Sequence, residues 1–256
     1  MIEYQRSQDE TKIAYERSGD GPALIIIGGA LNNRYSAGPL VPLLSAHFTV
    51  YTYDRRGRGD STDTSPYSPD REVEDLEALI NAAGGRAYAY GHSSGAILAL
   101  EAAAAGAPIT KLVAYEPPYL TQSPDAEPWT VFRDRVQAAL DVGDRAAAVE
   151  MFIRHTGAGF DERIKDQPWW PGLIGVAHTL PYDLTVTGDG IVPADRLAKV
   201  SAPTLAIYGG ASLPWARASI EGVAAAIPNA TQERLEGQDH GVAPDVVAPA
   251  LIRFFS

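Results

Sequence analysis

Residues 88–103 read Tyr88-Ala89-Tyr90-Gly91-His92-Ser93-Ser94-Gly95-Ala96-Ile97-Leu98-Ala99-Leu100-Glu101-Ala102-Ala103. A short apolar and aromatic run passes through a Gly-x-Ser-x-Gly pentapeptide into a stretch of strong helix formers. A strand that enters a helix so abruptly must turn sharply, and small residues on both sides of the turn let the backbone fold that tightly. The spacing predicts that Ser93 stands exposed at the edge of a sheet, with the N–H of Ser94 at the start of a helix. Orphan backbone donors at a helix N-terminus favour a developing anion. Ser93 is thus the expected nucleophile. An accidental pentapeptide is the alternative, and the strand before it and the helix after it argue against that.

The flanking sequence repeats the same rhythm. Apolar runs at Ala23–Ile27, Phe48–Tyr53, Ala87–Tyr90 and Lys111–Tyr115 read as strands, and Ile2–Arg6 and Lys12–Glu16 as an antiparallel hairpin turning at Gln8-Asp9-Glu10. Between the later runs, Ser68 suits a helix N-cap and Pro69 a first helical position. Val73, Leu76, Ile80 and Ala83 then share one face, and Gly84-Gly85 provides the stop. Strand–helix alternation with near-continuously apolar strands implies an α/β fold, its mostly parallel sheet covered on both faces. The alternation lapses after Pro117-Pro118. Helical, aromatic segments, notably Trp129–Leu140 and Arg145–Thr156, replace it until Thr204–Tyr208, a helix around Arg217–Ile227, Thr231–Leu235 and a last helix Pro244–Phe255. The expected organisation is a single domain over residues 1–256, with a helical insertion over 120–195 between the sixth and seventh strands.

Composition narrows the chemistry. The chain has 256 residues, 45% hydrophobic and 21% charged, so it is long enough for a sizeable core and too apolar to be disordered. With no cysteine, disulfides, thiolate metal sites and a cysteine nucleophile are excluded. A net charge of −11 speaks against nucleic acid or an anionic membrane as partner. No apolar run is long enough to span a bilayer, and Met1-Ile-Glu-Tyr-Gln-Arg lacks a signal peptide's apolar stretch, so a cytoplasmic enzyme is expected. Gly28-Gly29 lacks the later glycine of a dinucleotide fingerprint, and five dispersed histidines lack metal-ligand spacing; neither a cofactor nor a metal is expected.

A serine needs a base to take its proton. Of the histidines, His240 lies in Leu235-Glu236-Gly237-Gln238-Asp239-His240-Gly241, beyond the last expected strand, where a loop returns to the edge carrying Ser93. His92, inside the turn, points away from Ser93. A second oxyanion donor is expected in the loop that follows Leu24-Ile25-Ile26-Ile27-Gly28-Gly29-Ala30-Leu31, from the N–H of Ala30, paired with that of Ser94. Trp169, Trp170 and Leu31 are candidates for lining a substrate pocket, packing within the insert being the alternative for the two tryptophans.

These features together resemble the α/β-hydrolase fold, in its small cap-bearing esterase, lactonase and dehalogenase form. The resemblance rests on Gly28-Gly29, on Tyr53-Asp54-Arg55-Arg56-Gly57-Arg58-Gly59-Asp60-Ser61, on the serine turn, on Ala202-Pro203-Thr204-Leu205 and on Gly237-x-x-His240. It implies a sheet of about eight strands, with the insert as a cap. It also implies an acid after the seventh strand, where this chain reads Tyr208-Gly209-Gly210-Ala211-Ser212-Leu213-Pro214 with serine at the acid's position. Glu116, ending the apolar run Leu112–Tyr115 beside the serine strand, resembles a relocation known in some relatives and is the expected acid. Asp183 is the runner-up. Asp239, next to the base, is badly placed to orient it. The activity so implied is hydrolysis of a small-molecule carboxylic ester or lactone. Thioester or C–C bond hydrolysis, or ligand binding with negligible turnover, are the alternatives.

Overall fold

The computed structural model describes residues 1–119, 128–156 and 160–256, so the expected insert's first eight residues, 120–127, lie outside the described residues. In chain order the elements are β1 (Glu3–Arg6), β2 (Lys12–Ser18), β3 (Ala23–Ile27), α1 (Val41–Leu44), β4 (Thr49–Tyr53), α2 (Pro69–Ala82), β5 (Ala87–His92), α3 (Ser94–Ala105) and β6 (Ile109–Tyr115). The helices α4 (Trp129–Asp141), α5 (Arg145–His155), α6 (Trp170–Val176), α7 (Leu180–Thr187) and α8 (Ala194–Leu197) follow. The chain then returns to the sheet with β7 (Thr204–Gly209), α9 (Pro214–Ala226), β8 (Ala230–Leu235) and α10 (Pro244–Phe255).

The eight strands form one sheet in the order β1-β2-β4-β3-β5-β6-β7-β8. The β1–β2 and β2–β4 pairs are antiparallel, and every later pairing is parallel. Side chains alternate across the sheet, and both faces are covered. Ile25 and Ile27 pack with Leu76, Leu79 and Ile80 of α2 and with α3, whereas Leu24 and Ile26 pack with Leu44, Val247, Leu251 and Phe255 on the opposite side. This double burial is why the central strands read as continuous apolar runs rather than as alternating ones. Helix α2 begins at Pro69 as its spacing predicts, but the Ser68 side chain makes no capping hydrogen bond. Only its carbonyl is used, accepting from the Arg71 N–H at 3.1 Å.

The helices between β6 and β7 have a core of their own, centred on Trp129, Phe132, Val136, Val149, Trp170, Leu180 and Leu184. Helix α7 joins this core to the rest of the molecule, packing against both α3 and α4. No helix among the described residues is long and apolar enough to cross a membrane.

The tight turn from β5 into α3 needs both of its glycines. A Cβ on Gly91 would fall 2.5 Å from the Gly95 carbonyl oxygen, and one on Gly95 would fall 2.3 Å from that of Ile27. Gly172, inside α6, faces open space. Gly95→Ala is therefore expected to destabilise the protein by about 1–3 kcal/mol through overpacking. Gly172→Ala is expected to be neutral or to stabilise by up to ~1 kcal/mol through helix propensity. Urea unfolding of the two variants measures both signs.

Candidate active site

Ser93 joins β5 to α3 at φ 56° and ψ −127°, a conformation that L-residues rarely adopt. The surroundings hold it there: its N–H donates to the Tyr115 carbonyl at 2.9 Å, and the two crowded glycines leave the chain no other path. The register pairs His92 with Tyr115, so the residues that follow, Ser93 and Glu116, leave adjacent strands at the same edge.

Glu116 also has positive φ, at 45°, and its side chain is fully buried. Its Oε1 accepts from the Gly209 N–H at 2.7 Å and from the Ser212 hydroxyl, and its Oε2 lies 2.7 Å from His240 Nδ1. Burial pushes the Glu116 carboxyl up, but the bonds from His240, Ser212 and Gly209 outweigh it and hold the group below the usual carboxylate range. A carboxylate at Nδ1 fixes the proton there and leaves Nε2 of His240 as the free basic nitrogen. Ser212, standing where the resemblance implied an acid, thus hydrogen-bonds the carboxylate at the end of the neighbouring strand.

The loop carrying His240 is tied down on two sides. Tyr115 donates its hydroxyl to the Asp239 carbonyl at 2.6 Å, and His92 Nε2 donates to the His240 carbonyl at 2.7 Å. The Asp239 carboxylate closes a local turn by accepting from the Gly241 N–H at 2.8 Å. Burial, reinforced by the neighbouring His240, lowers the His92 pKa to about 4, so His92 is neutral at pH 7.

Two backbone donors stand beside Ser93. Among the described residues, neither the Ala30 N–H nor the Ser94 N–H has an acceptor. The loop bearing Ala30 approaches so closely that a Cβ on Gly29 would sit 2.9 Å from Ser93 Cβ, which only glycine avoids. Ala30, Ser93, Ser94 and His240 all line a cavity of about 120 Å³. Its other walls are largely apolar: Pro118, Trp129, Phe152, Leu184, Leu213 and Trp215. His155 also lines it, stacked on Phe132 at 3.7 Å between ring centroids.

The tryptophans expected in the pocket are elsewhere. Trp169 is 51% exposed, Trp170 is buried in the core of the insert, and Leu31 packs against that core; none of the three lines the cavity. Helical periodicity brings these side chains to a face, but does not say which face of the insert turns toward Ser93. Trp129 and Phe152, both in segments read as helical, occupy that face instead.

Asp183 lines the cavity but has other partners than His240. Its Oδ1 accepts from Arg55 Nη1 and from the Ser94 hydroxyl, both at 2.7 Å, and its Oδ2 accepts from Arg58 Nη2 at 2.7 Å. Arg55 also makes two 2.6 Å bonds to the buried Glu72. Burial pushes the Asp183 carboxyl up, but Arg58, Arg55 and the Ser94 hydroxyl together hold it below the usual range. As the runner-up acid, Asp183 is corrected by this geometry: both of its oxygens are committed to arginines. In the sequence Asp183 had only its place in Leu180-Pro181-Tyr182-Asp183 of the insert, with a structural cap or a substrate contact as its other readings, whereas the pairing joins residues more than 120 positions apart.

With this geometry in place, a model of the alpha/beta hydrolase family matches residues 26–250, and the chain belongs to that family. It is 48% identical to an alpha/beta hydrolase from Sphaerobacter thermophilus, whose crystal structure superposes with a TM-score of 0.92 over 99% of this chain and 100% of that one. It is 28% identical over 254 residues to the 2-(acetamidomethylene)succinate hydrolase of Mesorhizobium japonicum, spanning 92% of this chain and 88% of that protein. The enol-lactonase of Burkholderia xenovorans shares the fold, with a TM-score of 0.74 at 20% identity over 99% of both chains.

Between the ordinary histidine value of 6.5 and about 4, the unfolded chain binds a proton at His92 that the folded chain refuses. Stability is therefore expected to fall as the pH drops through this window, with His92 contributing up to about 3 kcal/mol of the loss. Urea titrations at pH 7 and pH 5 should show a smaller acid loss for His92→Gln than for the parent. Equal losses would contradict the assignment.

Proposed function

We propose that this protein is a serine hydrolase that cleaves a small carboxylic ester or lactone through an acyl-enzyme on Ser93. The observation that carries the reading is the buried Glu116 carboxylate 2.7 Å from His240 Nδ1, at the sheet edge where the strained Ser93 stands. In this mechanism His240 Nε2 takes the Ser93 hydroxyl proton as Oγ attacks the substrate carbonyl carbon. The carbonyl π electrons move to oxygen, and the Ala30 and Ser94 N–H groups hold that oxyanion. Collapse breaks the bond to the alkoxy oxygen, which receives the proton from the imidazolium. A water molecule, deprotonated by His240, then attacks the acyl carbon, and Ser93 leaves with the proton. Glu116 remains ionised throughout. It holds the imidazole tautomer and stabilises the imidazolium, without itself being protonated.

The apolar lining supports a neutral acyl group. At about 120 Å³ the cavity falls below the range of pockets that enclose drug-sized ligands, which favours a short acyl chain or a small ring. The helical insert contributes Trp129, Phe152 and Leu184 to that lining, so we assign it the part of a cap that excludes water and shapes the acyl site. Family membership supports a hydrolase, and the names of the relatives cover acylated amines and enol-lactones alike.

Hydrolysis of p-nitrophenyl acetate by Ser93→Ala is expected to fall to the background rate, with fold and stability preserved. Glu116→Gln should lower kcat by ~10⁴-fold, the loss seen when a triad acid becomes an amide. Asp183→Asn should leave His240 correctly oriented, as judged by an unchanged acid limb of the pH–rate profile. An unimpaired Glu116→Gln enzyme would refute the assignment of the acid.

A further inference from the structure

Gly29, which lets the β3 loop approach Ser93, creates a problem of its own. Gly29 has backbone freedom that a residue with a Cβ lacks, so the Gly29–Ala30 peptide that follows it can present either its N–H or its carbonyl to the site. Only the first orientation provides an oxyanion donor. The Gly29 carbonyl is taken up by two donors, the buried Arg58 and, at the longer distance of 3.3 Å, the Asn32 N–H, while Arg55 holds the carbonyl before it. Arg58 Nη1 donates to the Gly29 carbonyl at 2.7 Å and to that of Asn32 at 3.2 Å, and Arg55 Nη1 donates to the Gly28 carbonyl at 3.3 Å. In a planar trans peptide the N–H points opposite to the C=O. Fixing the Gly29 carbonyl on Arg58 therefore turns the Ala30 N–H away from the arginine, and this N–H has no acceptor among the described residues. Flipping the peptide would strip a donor of the fully buried Arg58 of its partner, which is costly for a charged group.

Asp183 completes the arrangement. One oxygen holds Arg58, and the other accepts from both Arg55 and the Ser94 hydroxyl, so a single carboxylate braces the residues that carry or orient both N–H donors. We propose that Arg58, held by Asp183, is a positioning residue that locks the Gly29–Ala30 peptide in its oxyanion-binding orientation. Through this lock, helix α7 of the insert couples its docking to catalysis. The proposal rests on the serine hydrolase reading of the site.

The test compares Arg58→Lys and the charge-balanced double variant Arg58→Met/Asp183→Leu with the parent and with Ser93→Ala. The double variant removes one buried cation together with one anion and leaves Arg55 paired with Glu72. Apolar replacement of a buried ion pair is commonly tolerated by folding. With p-nitrophenyl acetate, the double variant should lose kcat on the order of 10²-fold at little changed KM, the loss typical of one oxyanion donor. The inhibition constant of a boronic acid, which forms a tetrahedral adduct on serine, should rise in proportion to the loss of kcat/KM. Arg58→Lys, which keeps a donor for the carbonyl, should fall between the two. A folded double variant with the parent's kcat and boronate affinity, while Ser93→Ala is inactive, overturns the peptide lock and leaves the hydrolase reading standing. A loss of kcat without loss of boronate affinity overturns it equally. Full activity in Ser93→Ala overturns the underlying reading and the lock with it.

Discussion

A carboxylate buried at the end of β6 is the constraint around which this site is built. An ionised group out of contact with water survives only if its lone pairs are taken up by donors. Glu116 draws these donors from two other strand ends: the N–H of Gly209 at the end of β7 and the hydroxyl of Ser212 just beyond it, and the imidazole of His240 after β8. Satisfying one charge thus stitches the carboxyl ends of three neighbouring strands together. It also aims the imidazole's other nitrogen away from the carboxylate. The positive φ of Glu116 is tolerated because these bonds, with its N–H on the Ile207 carbonyl at 3.0 Å, over-determine the local backbone.

The same logic governs the other side of Ser93. Arg55, Arg58, Glu72 and Asp183 form a buried set with two charges of each sign, closed by the Ser94 hydroxyl and by the carbonyls of Gly28 and Gly29. Hydrophobic packing places α7 on α3, and this set fixes its register, because Asp183 must meet both guanidinium groups at once. Helix α7 and the loop after β4 therefore share one ionic seam beside the cavity that Asp183 and Ser94 line.

Much of this was legible in the sequence, for reasons that differ between elements. The strands were readable because burial on both faces leaves them uniformly apolar, and the turn at Ser93 because only small residues fit around it. Glu116 was readable because it ends the apolar run Leu112–Tyr115 beside the serine strand, a place that resembles a relocation of the acid in some relatives. The role of Ser212 was not, since a hydroxyl in place of a carboxylate looks like a loss until Glu116 is seen 96 residues away in sequence. The pocket was the least legible part. Trp169 and Trp170 look like pocket residues by composition, yet Trp129 and Phe152 fill that place, because tertiary docking decides which face of an insert helix turns inward. Asp183 failed as an acid for a similar reason: nothing local announces that Arg55 and Arg58 have both of its oxygens.

The central claim is that Glu116 holds the proton on His240 Nδ1. Proton NMR of ¹⁵N-histidine-labelled protein observes that proton directly. A strongly downfield Nδ1–H resonance assigned to His240 is expected, which disappears in Glu116→Ala and persists in Asp183→Asn. A resonance that survives Glu116→Ala and is lost in Asp183→Asn would contradict it.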